Sequence, residues 1–130
     1  LEAAFGRVSH AVASTLADES GGRWMLSAQH AQAHSELTLT IQEAGQPRDI
    51  VIDRTFVDRD TGIRWIIDYK SSTPEAGVSA ASFLQVEAGR YKSQLSCYRD
   101  AMSEIGPEPV RCALYFTGMA CLHHLSELDR

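Results

Sequence analysis

Two apolar, β-forming runs each end in an aspartate, and a turn signal joins them. Ile50-Val51-Ile52 leads into Asp53, and Trp65-Ile66-Ile67 leads into Asp68. Between them, Asp58-Arg59-Asp60-Thr61-Gly62 has the composition of a hairpin. Such a pair folds as adjacent strands, which brings the two carboxylates to neighbouring positions. Aspartate is poor strand material, and an ionised carboxylate is rarely buried without a partner. Two readings are open at this point. Each Asp is a strand-end residue that pairs with Arg54 or caps a turn, or the two share a cation. Like charges held together repel unless a cation lies between them, and an all-oxygen site suits a hard cation such as Mg²⁺.

Lys70 adds to the second reading. Asp68 and Lys70 stand two apart on a strand, so they project from the same face. They precede a small and polar segment, 71–82, that reads as a loop. A carboxylate pair beside an ammonium suits metal-assisted hydrolysis of a phosphodiester. The competing reading is a surface ion pair of little energetic weight. Further along, a helix is expected over 83–105, stopped by Gly106-Pro107. At 100° per residue, Phe83, Leu84, Tyr91, Gln94, Leu95, Tyr98, Ala101, Met102 and Ile105 share one stripe. Gln94 therefore lies on the apolar face, within reach of Tyr98 at i+4. Its amide either orients something in a site or reaches water at the stripe's edge.

The remaining pattern supplies the scaffold. A helix is expected over 4–18 and a short strand over 23–26. A half-buried strand follows over 36–42, with Leu37, Leu39 and Ile41 on one side. Gly45-Gln46-Pro47 turns the chain. Strands are expected over 49–57, 64–70 and 110–116, and one more within 122–128. The order gives an α/β or α+β architecture around a central sheet, of which α/β is the expectation adopted. The 130 residues suffice for one domain, 1–130. Twelve Lys and Arg against 17 Asp and Glu leave a charge of −5, so nucleic acid must be contacted locally rather than through a broad basic coat. Three scattered cysteines argue against a disulfide framework or a zinc ribbon, and fit a reducing, cytoplasmic setting. No run has the length of a membrane span, and no Gly-rich phosphate loop is present. The start at Leu1 reads as a piece of a longer polypeptide.

Taken in order, Ile52-Asp53-Arg54, Asp60-Thr61-Gly62, Trp65-Ile66-Ile67-Asp68-Tyr69-Lys70-Ser71 and Tyr91-x-x-Gln94-Leu95-x-x-Tyr98 resemble the RecB-like nuclease domain of the PD-(D/E)xK superfamily. Such domains lie at the C-terminus of UvrD/Rep-type helicase-nucleases of DNA repair and recombination. The resemblance covers about 36–117 and implies a restriction-endonuclease-like αβββαβ core, with a central mixed sheet flanked by helices. It implies Mg²⁺-dependent cleavage of DNA, with Mn²⁺ as a substitute, and ATP used only by helicase domains of the same polypeptide. A second subunit is a further expected partner.

Carried over by residue, the resemblance makes Asp53 and Asp68 the metal ligands, with the backbone carbonyl of Tyr69. Lys70 becomes the catalytic lysine. Gln94 and Tyr98 form the family's Gln-x-x-x-Tyr motif, with Tyr91 alongside, supporting the site and touching DNA. Glu36 matches an acidic position of many members, although a solvent-facing strand-start Glu explains it equally. The family's metal-binding His is the departure. His30 and His34 fall in the expected linker before the Glu36 strand, and His123 and His124 follow the motifs. His10 faces away from the first helix's apolar stripe, so the His is expected upstream of Leu1. A nuclease-like module without catalysis, which grips DNA or docks on the motor, is the alternative function.

Overall fold

The computed structural model describes Ala13 and residues 15–130. Five strands form one sheet in the order β1-β2-β3-β4-β5: β1 (Ala31–Glu43), β2 (Gln46–Val57), β3 (Arg64–Lys70), β4 (Val110–Phe116) and β5 (Cys121–His124). Neighbours are antiparallel except β3 and β4, which run parallel. A parallel pair needs a crossover, and the helix Ala80–Ile105 provides it. A short helix, α1 (Gly22–Met25), precedes the sheet, so the crossover helix is α2. Among the described residues, no helix is long and apolar enough to cross a membrane.

Apolar side chains cover both sheet faces. Ile50, Ile52, Ile66, Cys112, Leu114 and Phe116 pack against Phe83, Leu95, Tyr98 and Met102 of α2. On the opposite face Phe56, Trp65, Ile67, Ala113 and Tyr115 pack with Met25 and Trp24. β3 and β4 are therefore buried from both sides, which explains their nearly continuous apolar sequences. Their expected bounds, 64–70 and 110–116, are those observed.

Elsewhere the elements depart from expectation. The helix expected over 4–18 lies mostly outside the described residues, as does His10; Ala13 and residues 15–17 are helical. Residues 23–26 are not a strand. Asp18 accepts the N–H of Gly22 at 3.0 Å, and Met25 donates to the Gly21 carbonyl, so a helical turn forms instead. Gly22 permits this approach, because a Cβ there would lie 2.0 Å from the Thr15 carbonyl oxygen. The first strand starts at Ala31, not 36, which removes the expected linker and places His34 within β1. An irregular register between Ala31 and His34 hides this start by breaking the alternation. α2 begins at Ala80 because Ser79 caps it, its hydroxyl accepting the Ser82 N–H at 3.1 Å. The last strand ends at His124, and a 3₁₀ turn over Ser126–Leu128 then tucks Leu128 into the core.

One feature of the sheet determines the site. β2 pairs with β1 along its whole length, yet with β3 only from Arg54 to Val57. The rest of the β1–β2 hairpin projects as a two-stranded arm. Ile50 and Ile52 belong to the α2 side, whereas Phe56 belongs to the other side. Strict alternation would put all three on one face, so the strand turns over between Ile52 and Arg54. Asp53 sits at that turnover. Glu36, across from it by register between the Ser35↔Arg54 and Leu37↔Ile52 pairs, adopts φ +53°. A left-handed residue inverts the alternation of β1 at the same level.

Candidate functional site

The β2–β3 ladder ends at Arg54↔Ile67. The next step along each strand is Asp53 and Asp68, placed side by side by the tight hairpin at 58–62. Gly62, at φ +73°, lets that hairpin close and donates its N–H to the Asp58 carbonyl at 2.7 Å. Asp53 Oδ2 accepts the backbone N–H of Tyr69 at 2.8 Å. The side chain thus occupies a donor that the ladder has left free.

Asp68 is 5% exposed, and its Oδ2 lies 2.8 Å from Lys70 Nζ. The Lys70 ammonium is thus the partner of this buried oxygen. Burial pushes the Asp68 carboxyl above its ordinary value; the Lys70 ammonium opposes this, and the Asp53 charge adds to it. The Lys70 ammonium is held above its ordinary value. Desolvation works against its charge, but the Asp68 carboxylate outweighs that effect. Lys70 Nζ also sits 3.7 Å over the ring of Tyr91, so the cation lies between a carboxylate and a π face.

Gln94 is half-buried on the apolar side of α2, and its Nε2 donates to the Tyr98 hydroxyl at 2.7 Å. The amide therefore has a partner on its own helix. Tyr69 contributes its N–H to Asp53, while its phenol points to the opposite face, where burial raises its pKa against the pull of Arg54. Glu36 is exposed at the strand turnover. The structure thus gathers Asp53, Asp68, Lys70 and Tyr91, seats Gln94 and Tyr98 as a bonded pair on the same helix, and leaves Glu36 facing solvent.

Two of the described histidines are engaged elsewhere. His30 stacks on Phe56 at 4.0 Å between ring centroids and contacts the Trp24 carbonyl. His124 pairs with Asp129 at 2.7 Å. Among the described residues, no group of three or more His, Cys, Asp or Glu side chains is drawn together as metal ligands.

Sequence reasoning passed over Glu87. It is 9% exposed, and its Oε2 is buried without a hydrogen-bond partner, 4.0 Å from the guanidinium of exposed Arg90. The helical arithmetic that placed Gln94 on the apolar stripe places Glu87 there too, within about 20°. No protein-family model and no curated protein matches this chain.

Proposed function

We propose that this chain is a metal-dependent nuclease domain of RecB-like type that hydrolyses DNA phosphodiesters. The observation that carries the reading is the meeting of Asp53, Asp68 and Lys70 at the open end of the β2–β3 ladder, with the Asp68 carboxylate buried against the Lys70 ammonium. Two carboxylates at adjacent positions share a single ammonium, and a hard divalent cation would neutralise the charge that this ammonium leaves unbalanced. The residues present therefore fit Mg²⁺ or Mn²⁺, with Asp53 and Asp68 as the groups that would hold it and the Tyr69 carbonyl as a third. When bound, such a cation supplies Lewis acidity toward a phosphate oxygen and toward water.

The protein groups have separable tasks in this reading. Lys70 offsets negative charge gathering on the phosphoryl oxygens, and the Tyr91 ring and Asp68 keep its ammonium aimed and protonated. Gln94 and Tyr98 support the helix face that borders the site and contact the DNA backbone. The strand order, with three antiparallel strands, a helical crossover and a parallel fourth strand, is compatible with an αβββαβ core. The RecB-like resemblance implies that DNA is delivered by motor domains of the same polypeptide or by a second subunit, where ATP is consumed, and a charge of −5 fits a chain that does not gather DNA through a broad basic surface.

The test is cleavage of linear DNA in Mg²⁺ or Mn²⁺, together with Mn²⁺ binding by calorimetry. Expected is cation-dependent cleavage that falls about 10²-fold or more in both Asp68→Ala and Lys70→Ala. Undiminished cleavage in Asp68→Ala, or a wild-type chain that neither cleaves nor binds Mn²⁺, overturns the proposal.

A further inference from the structure

The β1–β2 arm has two long edges, and they are built differently. From Gln46 to Asp53 the outer edge of β2 has no β3 partner. It carries Pro47, Arg48 and Asp49 near its tip and Asp53 at its base. Proline removes a ladder donor and charges resist a neighbouring strand, so this edge is guarded against pairing. The β1 edge carries no proline and no charge over Leu37-Thr38-Leu39-Thr40-Ile41. Its irregularities lie nearer its start, where the register shifts between Ala31 and His34 and where Gln32 and Glu36 take positive φ. β1 ends the sheet, and among the described residues β2 is its one partner strand. A regular run of β-formers with an open row of backbone donors and acceptors is a template for a further strand.

The sequence of this edge says which strand fits it. Glu36-Leu37-Thr38-Leu39-Thr40-Ile41-Gln42 reads nearly the same in both directions. Leu37, Leu39 and Ile41 are half-buried on the α2 side, whereas Thr38 and Thr40 are exposed on the other, where Thr40 donates to Asp49 at 2.7 Å. We infer that β1 pairs antiparallel with β1 of a second copy of this chain, about a two-fold axis at Leu39. Leu39 then stands opposite itself, Leu37 opposite Ile41, and Thr38 opposite Thr40. Apolar side chains meet on one face and threonines on the other, which are pairings that stabilise a sheet. At the margins Glu36 meets Gln42 and Glu43 meets Ser35, so no acid faces an acid. A slip of one residue sets the apolar side chains against Thr, Gln or Glu. A slip of two sets Leu37 against Glu43 or Ile41 against Ser35. The edge is thus complementary to itself in one register, as a two-fold contact requires. The pairing joins two five-stranded sheets into one and uses none of Asp53, Asp68 and Lys70, so it goes beyond the proposed function and does not depend on it.

The experiment is sedimentation equilibrium of the 130-residue chain up to about 1 mM, with amide hydrogen exchange at low and high concentration. Expected is a reversible monomer–dimer equilibrium with a Kd on the order of 10–100 µM, as suits a small interface. Thr38→Lys/Thr40→Lys sets like charges opposite each other twice while leaving the apolar stripe untouched. It is expected to weaken the dimer about 10-fold or more. Thr38→Glu/Thr40→Lys sets opposite charges across the same positions, with position 40 beside Asp49. It is expected to tighten the dimer about 3-fold or more at low salt, and to lose that gain at high salt. A two-residue slip would set position 38 or 40 against itself, so this variant also reports the register. Hydrogen exchange needs no variant: protection within residues 37–41 is expected to rise with concentration. A wild-type chain that stays monomeric up to about 1 mM overturns the inference. So does a dimer that keeps its affinity in Thr38→Lys/Thr40→Lys, or one that Thr38→Glu/Thr40→Lys weakens. Protection that rises with concentration elsewhere, but not within 37–41, assigns the contact to another surface and overturns it as well.

Discussion

Asp53 Oδ2 accepts the backbone N–H of Tyr69 at 2.8 Å, just past the last rung of the β2–β3 ladder. The same carboxylate therefore closes the sheet and faces Asp68. The two roles separate by substitution. Asp53→Ala leaves the Tyr69 N–H without its acceptor and should cost about 1–2 kcal/mol of stability. Asp53→Asn retains an acceptor oxygen and should melt within about 2 °C of the wild type. Both should lose Mn²⁺ binding if the proposed site is correct. Thermal melting paired with calorimetry checks this, and a destabilised Asn variant would contradict the assignment of the hydrogen bond.

The bond from Gln94 to Tyr98 gives a second separation of stability from function. Tyr98→Phe removes the acceptor of a half-buried amide and should cost about 1 kcal/mol. Gln94→Leu strands the Tyr98 hydroxyl, with a similar loss. The double variant Gln94→Leu/Tyr98→Phe replaces both partners with apolar groups on an apolar stripe, so its stability should return toward the wild type. A double-mutant cycle in urea measures the coupling. Cleavage should stay impaired in the double variant, since the polar face has been erased.

Backbone strain marks two further sites. Ala44 and Gly45 form the two-residue loop between Glu43 and Gln46, with φ of +51° and +79°. Such a loop needs left-handed conformations at both positions, and Asn adopts them more readily than Ala. Ala44→Asn should therefore stabilise the arm by about 0.5–1 kcal/mol. At the strand turnover, Glu36→Gly should be tolerated, whereas Glu36→Val should cost about 1–2 kcal/mol, because a β-branched residue resists positive φ. Urea midpoints decide both. A tolerated valine would show that the turnover opposite Asp53 does not depend on residue 36.

These particulars explain what the sequence made legible. The bounds of β3 and β4 follow from apolar runs that are buried on both faces, so no other element competes for them. The meeting of Asp53 and Asp68 follows from a short hairpin, because register is then set by the turn. The start of β1 was hidden for the opposite reason: positive φ at Gln32 and Glu36 breaks the period by which a strand is recognised. The turn at Gly22–Met25 depends on Asp18 reaching back to backbone donors, a contact without periodic signature. Glu87 was hidden because a charged residue in a helix reads as solvent-facing. Its burial is a tertiary fact, and the helical angle was the one available clue.

Asp18 and Tyr115 supply a pH dependence independent of the candidate site. The Tyr115 hydroxyl donates to Asp18 Oδ2 at 2.9 Å, tying the segment before α1 to the far face of β4. Burial acts to raise the Asp18 carboxyl, but the N–H of Gly22, the Tyr115 hydroxyl, the N–H of Gly21 and Ser20 outweigh it, so it is held below its ordinary 3.8. Its stabilising contribution is present above the unfolded value and is lost as pH falls through the folded one. Burial first, then the Asp18 contact, pushes the Tyr115 phenol up to about 12 from 10.0. Folding thus favours the neutral phenol, and stability should fall as pH rises from the unfolded value toward the folded one. The wild type should show an added loss below pH 3.8 and another between 10.0 and about 12, measured as urea midpoints against pH. Tyr115→Phe should flatten the alkaline limb, and Asp18→Ala should flatten the acid limb and weaken the alkaline one. An unchanged alkaline limb in Tyr115→Phe would assign that loss to another group.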